Sequence, residues 1–136
     1  MPDLNFLAIG VCTIGAFMLG GLWYSPLLFA KKWVALHGYS QEQVKEMQKS
    51  ATPSYLVAII STFVSAVVMA ILINRLGITE PLKGAGLGVL AWVGFAGATG
   101  LTNTLFSAKP MGLFVIDGLY QFIYFATFGA VFAVWR

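Results

Sequence analysis

Apolar positions fall into four long runs, over about residues 4–24, 53–76, 82–106 and 111–135, separated by short polar breaks. Each run is close to the ~20 residues that a helix needs to cross a ~30 Å hydrocarbon layer. The pattern predicts an all-α membrane protein, a bundle of four transmembrane helices forming a single domain. Polar positions form only one extended stretch, residues 37–52. There Ser40-Gln41-Glu42-Gln43 has the form of a capping box. It predicts a short amphipathic helix between the first and second spans, over about residues 41–50, with Val44, Met47 and Ala51 as a narrow apolar stripe. Glu42 with Lys45, and Glu46 with Lys49, are spaced to pair along it. Such a helix lies on the membrane surface or against the bundle.

The polar and small residues inside the runs mark where helices end and meet. Ser25-Pro26 ends the first span, because the residue before a proline avoids helical geometry. Thr52-Pro53 is expected to cap and open the second. Gly77 is placed to close it in a left-handed turn. Ser54, Ser61 and Ser65 share a face of that helix, beside Thr62. They either bond their own helix carbonyls or turn toward a cavity or a partner helix. The third span carries Gly94-x-x-Gly97-x-x-Gly100, and the first carries Ala16-x-x-x-Gly20. Small residues in lipid let backbones approach closely. Gly20, Gly94, Gly97 and Gly100 are therefore the expected packing positions, with the third span as the packing centre of the fold or of an oligomer.

Composition supports the membrane reading and removes others. The chain has 136 residues, 59% hydrophobic and only 10% charged. A soluble domain carries about 25% charged residues. The net charge of +3 is scattered and does not point to nucleic acid. The first run has no basic segment before it and no convincing cleavage site, so it reads as a retained span rather than a signal peptide. Cys12, the single cysteine, reads as a buried core residue, and His37 as a solvated loop residue or, alternatively, a ligand or pH switch. No Cys/His set is spaced for a metal, and no cofactor is expected. Lys31, Lys32, Lys45, Lys49 and Lys109 fall on one side of the four-span arrangement, with Arg75, Lys83 and Arg136 on the other. Positive charge favours the cytoplasm. Loops one and three are thus expected inside and both termini outside, although so small a bias leaves reversed insertion open.

Asp117 is the only Asp, Glu, Lys, Arg or His in the fourth run. A carboxylate near the membrane centre costs roughly 2.5–3.5 kcal/mol on insertion scales. It must face protein, water or a partner. With the third turn centred near Ala108-Lys109, residue 99 would lie opposite 118 and residue 103 opposite 114. That register predicts a polar pocket of Asp117, Gln121, Asn103 and Thr99, with Tyr120 beside it and the aromatic end of the first span as its lip: Trp23, Tyr24, Ser25 and Trp33. A dry pocket would favour the neutral acid, a wet one the carboxylate, which attracts a cation. Asp117 could equally be glue, bonding Asn103 or loop backbone and fixing the bundle. The belt of Trp23, Tyr24, Phe29 and Trp33 has its own plain reading as a headgroup-level anchor.

Several stretches look familiar together: Gly20-Gly21-Leu22-Trp23-Tyr24-Ser25-Pro26-Leu27-Leu28-Phe29 with Lys32-Trp33, then Trp92-Val93-Gly94-Phe95, Thr102-Asn103 and Ile116-Asp117-Gly118-Leu119-Tyr120. The chain resembles, over nearly its whole length, a bacterial family of small four-span membrane proteins catalogued only as a domain of unknown function. The resemblance implies four spans and a bacterial cytoplasmic membrane, and no established activity. The family pattern has Asn or Asp in an Ile-x-x-Gly-Tyr setting. Here Gly118 comes one place earlier and Leu119 precedes Tyr120. If Asn serves equally there, hydrogen bonding is favoured over proton relay.

Three function classes follow. The first is a channel or transporter for an ion or small solute, formed by a homo-oligomer because four short spans enclose little space alone. The second is an accessory or scaffold subunit packed against a larger membrane-protein partner. The third, an enzyme, lacks any visible catalytic constellation.

Overall fold

The computed structural model describes residues 3–136; Met1 and Pro2, part of the signal-peptide reading, lie outside it. Six helices follow one another: α1 Phe6–Trp23, α2 Ala30–His37, α3 Gln41–Lys49, α4 Thr52–Arg75, α5 Pro81–Phe106 and α6 Met111–Val134. Among the described residues there is no strand. Four of the helices, α1, α4, α5 and α6, are long and apolar enough to cross a membrane. The chain is a multi-pass membrane protein.

Local chemistry sets the helix ends. Asn5 caps α1 by accepting from the Ala8 N–H at 3.1 Å. The Ser40–Gln43 capping box forms in both directions. Gly77 adopts φ 65°, as a left-handed closing turn requires. The start of α4 differs from expectation. Ala51 is the cap residue, Thr52 is already helical, and no side chain bonds the first turn. Pro53 lacks an N–H there and so leaves one fewer donor to satisfy.

The polar connection holds two short helices, not one. The unforeseen α2 packs Leu36 onto Gly112 at the start of α6. By contrast α3 has no buried residue. Its Glu46–Lys49 pair forms at 3.6 Å, fully exposed to solvent, whereas Glu42 and Lys45 do not pair.

The fourth span, α6, is the hub, and it packs against each of the other three. This corrects the expectation for the third span. The apolar core lies toward the end of the bundle where the chain termini meet. Ala8, Ile9, Cys12 and Ala16 of α1 pack there with Ala66, Met69, Ala70 and Ile73 of α4, Ala91 of α5, and Phe128, Phe132 and Ala133 of α6. Tethers close that end: Asn74 donates to the Asp3 carbonyl at 3.0 Å, and Arg136 donates to the Ile78 carbonyl.

The α5–α6 seam is backbone on backbone. Gly84 lies on Gly129, and Gly88 on Phe125 and Ala126; a side chain at Gly84, Gly88 or Gly129 would strike a carbonyl. The predicted strip is elsewhere. Gly94 faces open space, Gly97 seats the ring of Trp92, and Gly100 touches Phe114. The cause is a π turn over Trp92–Gly97. It winds more residues per turn than an α-helix, and so rotates these glycines away from a common line.

The serine face turns away from the bundle. Ser54 and Ser61 point outward and Ser65 is half-buried, while the neighbouring Thr62 is buried and bonds the Ala58 carbonyl at 2.8 Å.

Candidate functional site

The end of α1 is built to turn side chains inward. Pro26 forbids continuation, and the Tyr24–Phe29 turn is closed by Phe29 N–H to the Trp23 carbonyl at 3.1 Å and Ala30 N–H to the Ser25 carbonyl at 3.1 Å. Ser25 spends its hydroxyl on the Leu22 carbonyl at 2.6 Å. Phe29 folds onto Trp23, ring centroids 4.7 Å apart. Trp23 is left only 8% exposed, and its indole N–H donates to the Ile116 carbonyl at 2.9 Å. It is therefore a bundle residue, not a headgroup anchor.

Tyr24 follows it inward. Its hydroxyl donates to Asp117 Oδ1 at 2.5 Å. A third bond completes the set: the Tyr120 hydroxyl donates to the Ala16 carbonyl at 2.6 Å. It crosses Gly20, where a Cβ would sit 2.8 Å from that hydroxyl. Three hydrogen bonds thus join α1 to α6 around one carboxylate.

The carboxylate is half-buried and makes no ion pair among the described residues. Rings stand around its Tyr24 partner. Tyr24 meets Tyr120 edge-on at 5.8 Å and Trp33 edge-on at 6.3 Å. From Trp33 the aromatic contact continues outward through His37 at 4.2 Å to Tyr39, stacked on His37 at 4.8 Å. From Tyr120 it continues inward to Tyr124 at 5.1 Å and Phe128 at 5.3 Å beyond that. His37 Nδ1 lies 3.1 Å from Lys109 Nζ. Partial burial and the Lys109 charge push the imidazolium below its usual range, while Asp117 pulls the other way. His37 thus closes α2 as the outer member of this cluster rather than standing free in a loop.

The expected pocket is only partly assembled. Asp117, Tyr120, Tyr24 and Trp33 come together, with Trp23 behind them. Gln121 is half-buried one turn on, without a side-chain hydrogen bond among the described residues. Thr99 and Asn103 face outward and do not bond Asp117. The register explains this. Gly100 lies against Phe114 and Gly88 against Phe125, roughly three residues away from the expected alignment. Lys109 and Pro110 lie outside the helices, Pro110 at ψ 141°, and a residue before proline favours extended backbone. Two extended residues rise about as far as four helical ones. That advances α6 and leaves Thr99 and Asn103 nearer the loop than Asp117.

Trp92 was not foreseen as a site residue. The π turn lays its ring on Gly97 and Gly118, edge-on to Phe122 at 5.3 Å, and its buried indole N–H has no partner. Of the segments that carried the family resemblance, Trp23-Tyr24, Trp92 and Ile116 to Tyr120 lie together, whereas Gly94-Phe95 and Thr102-Asn103 face outward.

A family model described as protein of unknown function (DUF1761) matches residues 7–133. The chain belongs to that family. No curated protein and no solved structure matches it.

Proposed function

For this member of a membrane-protein family without an assigned activity, we propose a small channel or transporter subunit that passes an ion or small solute beside Asp117. The single observation that carries the reading is a carboxylate within a span, bonded to a neutral phenol and to no cation. One hydrogen bond to a charged group returns about 1.5–3 kcal/mol. The cost of placing the charge is of the same order, roughly 2.5–3.5 kcal/mol at the membrane centre. An asparagine would accept the same bond from Tyr24 without that cost. What the aspartate adds is its charge, and intramembrane acids commonly serve ion or substrate pathways.

The working unit is a homo-oligomer in the cytoplasmic membrane, with loops one and three inside. Ser54, Ser61, Thr99 and Asn103 face away from the bundle, and a second copy would give these groups partners. The same outward faces favour a second reading, an accessory subunit docked on a larger membrane protein.

Reconstitution in liposomes separates the two. Wild type should carry monovalent cations or small charged solutes faster than empty vesicles, and Asp117→Asn should lower that flux at least about tenfold while keeping its fold. Absence of flux, or equal flux in the variant, would favour the accessory reading.

A further inference from the structure

Resting on the transport reading of the same site, we infer that Asp117 receives an organic cation with an apolar body, an alkylammonium or aryl-onium group, rather than a dehydrated inorganic ion. Hard cations need six or more oxygen ligands. Here the structure brings only the Tyr24 hydroxyl onto the carboxylate; the Tyr120 and Ser25 hydroxyls are directed to the Ala16 and Leu22 carbonyls, so no such shell of oxygens is assembled. Among the described residues no three His, Cys, Asp or Glu side chains gather to hold a metal ion. The site offers one carboxylate and several π faces instead.

A weakly hydrated cation fits that inventory. Ring faces attract cations through their quadrupoles, Trp most strongly, within about 6 Å of the centroid. Trp33 and Tyr120 flank Tyr24 nearly at right angles to it, at 81° and 80°. The file of Tyr39, His37, Trp33 and Tyr24 leads from the polar connection to the carboxylate, with each ring in contact with the next. Lys109, held against His37 at 3.1 Å, puts a cation beside that file. Its charge opposes entry and limits affinity. The ammonium of a free solute and that of a zwitterionic lipid headgroup present the same chemistry to the site.

The test is equilibrium dialysis of labelled tetraphenylphosphonium against the full chain in nanodiscs of phosphatidylglycerol. Saturable binding is expected, weakened about tenfold in Asp117→Asn and about threefold in Trp33→Leu, and tightened about threefold in Lys109→Gln. Trp33→Leu guards against misfolding as an explanation, since Trp33 is a half-exposed rim residue. A hundredfold excess of potassium or magnesium should not displace the probe beyond its effect on Asp117→Asn. Displacement on adding phosphatidylethanolamine would identify the headgroup as the source, and its failure to displace would identify a free solute. Binding that is non-saturable, equal in Asp117→Asn, or displaced by potassium would overturn the inference. Asp117-dependent potassium flux without probe binding would overturn the substrate class alone. Asp117-dependent binding without any flux would overturn transport and keep the site.

Discussion

At the scale of single residues, Tyr24 and Asp117 carry the account. They are 93 positions apart, and only donor–acceptor complementarity links them in the sequence. Asp117 was legible because a lone acid in an apolar run is expensive wherever it points. Its partner was not, because Asn103 and Thr99 are equally good donors and only the register decides between them. His37 shows the same limit. A lone polar residue in a polar connection carries no sign of the Trp33 and Tyr39 rings around it. The resulting environment makes a pH prediction. Burial first, then Lys109, holds the proton off His37, so it should titrate below its ordinary 6.5. The unfolded chain then takes up a proton as pH falls below about 6.5 while the folded chain does not, and stability declines across that window until the folded value is reached. An imidazole NMR titration should show the lowered midpoint, moved upward by Lys109→Gln and further downward by Asp117→Asn. A midpoint at or above 6.5 would contradict the cluster.

At the scale of elements, the four spans followed directly from apolar run length, and the α3 capping box from four adjacent residues. The packing seam did not. Glycines at helical spacing gave several candidate strips, and the π turn over Trp92–Gly97 decides which face inward. Gly84, Gly88 and Gly129 take the contact, while Gly94 is left in open space. Gly88→Leu should therefore destabilise the protein by about 3 kcal/mol or more, since its side chain meets backbone that cannot rotate away. Gly94→Leu should leave the melting of the isolated chain within roughly 0.5 kcal/mol of wild type. Thermal melts in detergent check both. Equal losses in the two variants would mean that the seam is misplaced.

At the scale of the whole molecule, the bundle divides into two ends. Where the termini meet, small and aliphatic side chains pack tightly around Phe128 and Phe132. At the end bearing α2 and Lys109, α4 turns Leu56, Val57 and Ile60 outward and keeps Tyr55 edge-on to Phe17 of α1 at 6.3 Å. Helix α6 joins both ends. It lends the core its phenylalanines and presents Asp117 and Tyr120 to α1. On the proposed reading the carboxylate end serves function, and Asp117 is kept for its charge rather than for the fold. The most direct measurement is the thermal stability of purified wild type beside Asp117→Asn in the same detergent at neutral pH. The account predicts that the asparagine variant melts at or above the wild-type temperature, because it accepts the Tyr24 bond without an unpaired charge. A fall of roughly 4 °C or more, the equivalent of about 1 kcal/mol, would contradict it and make the aspartate a structural tie.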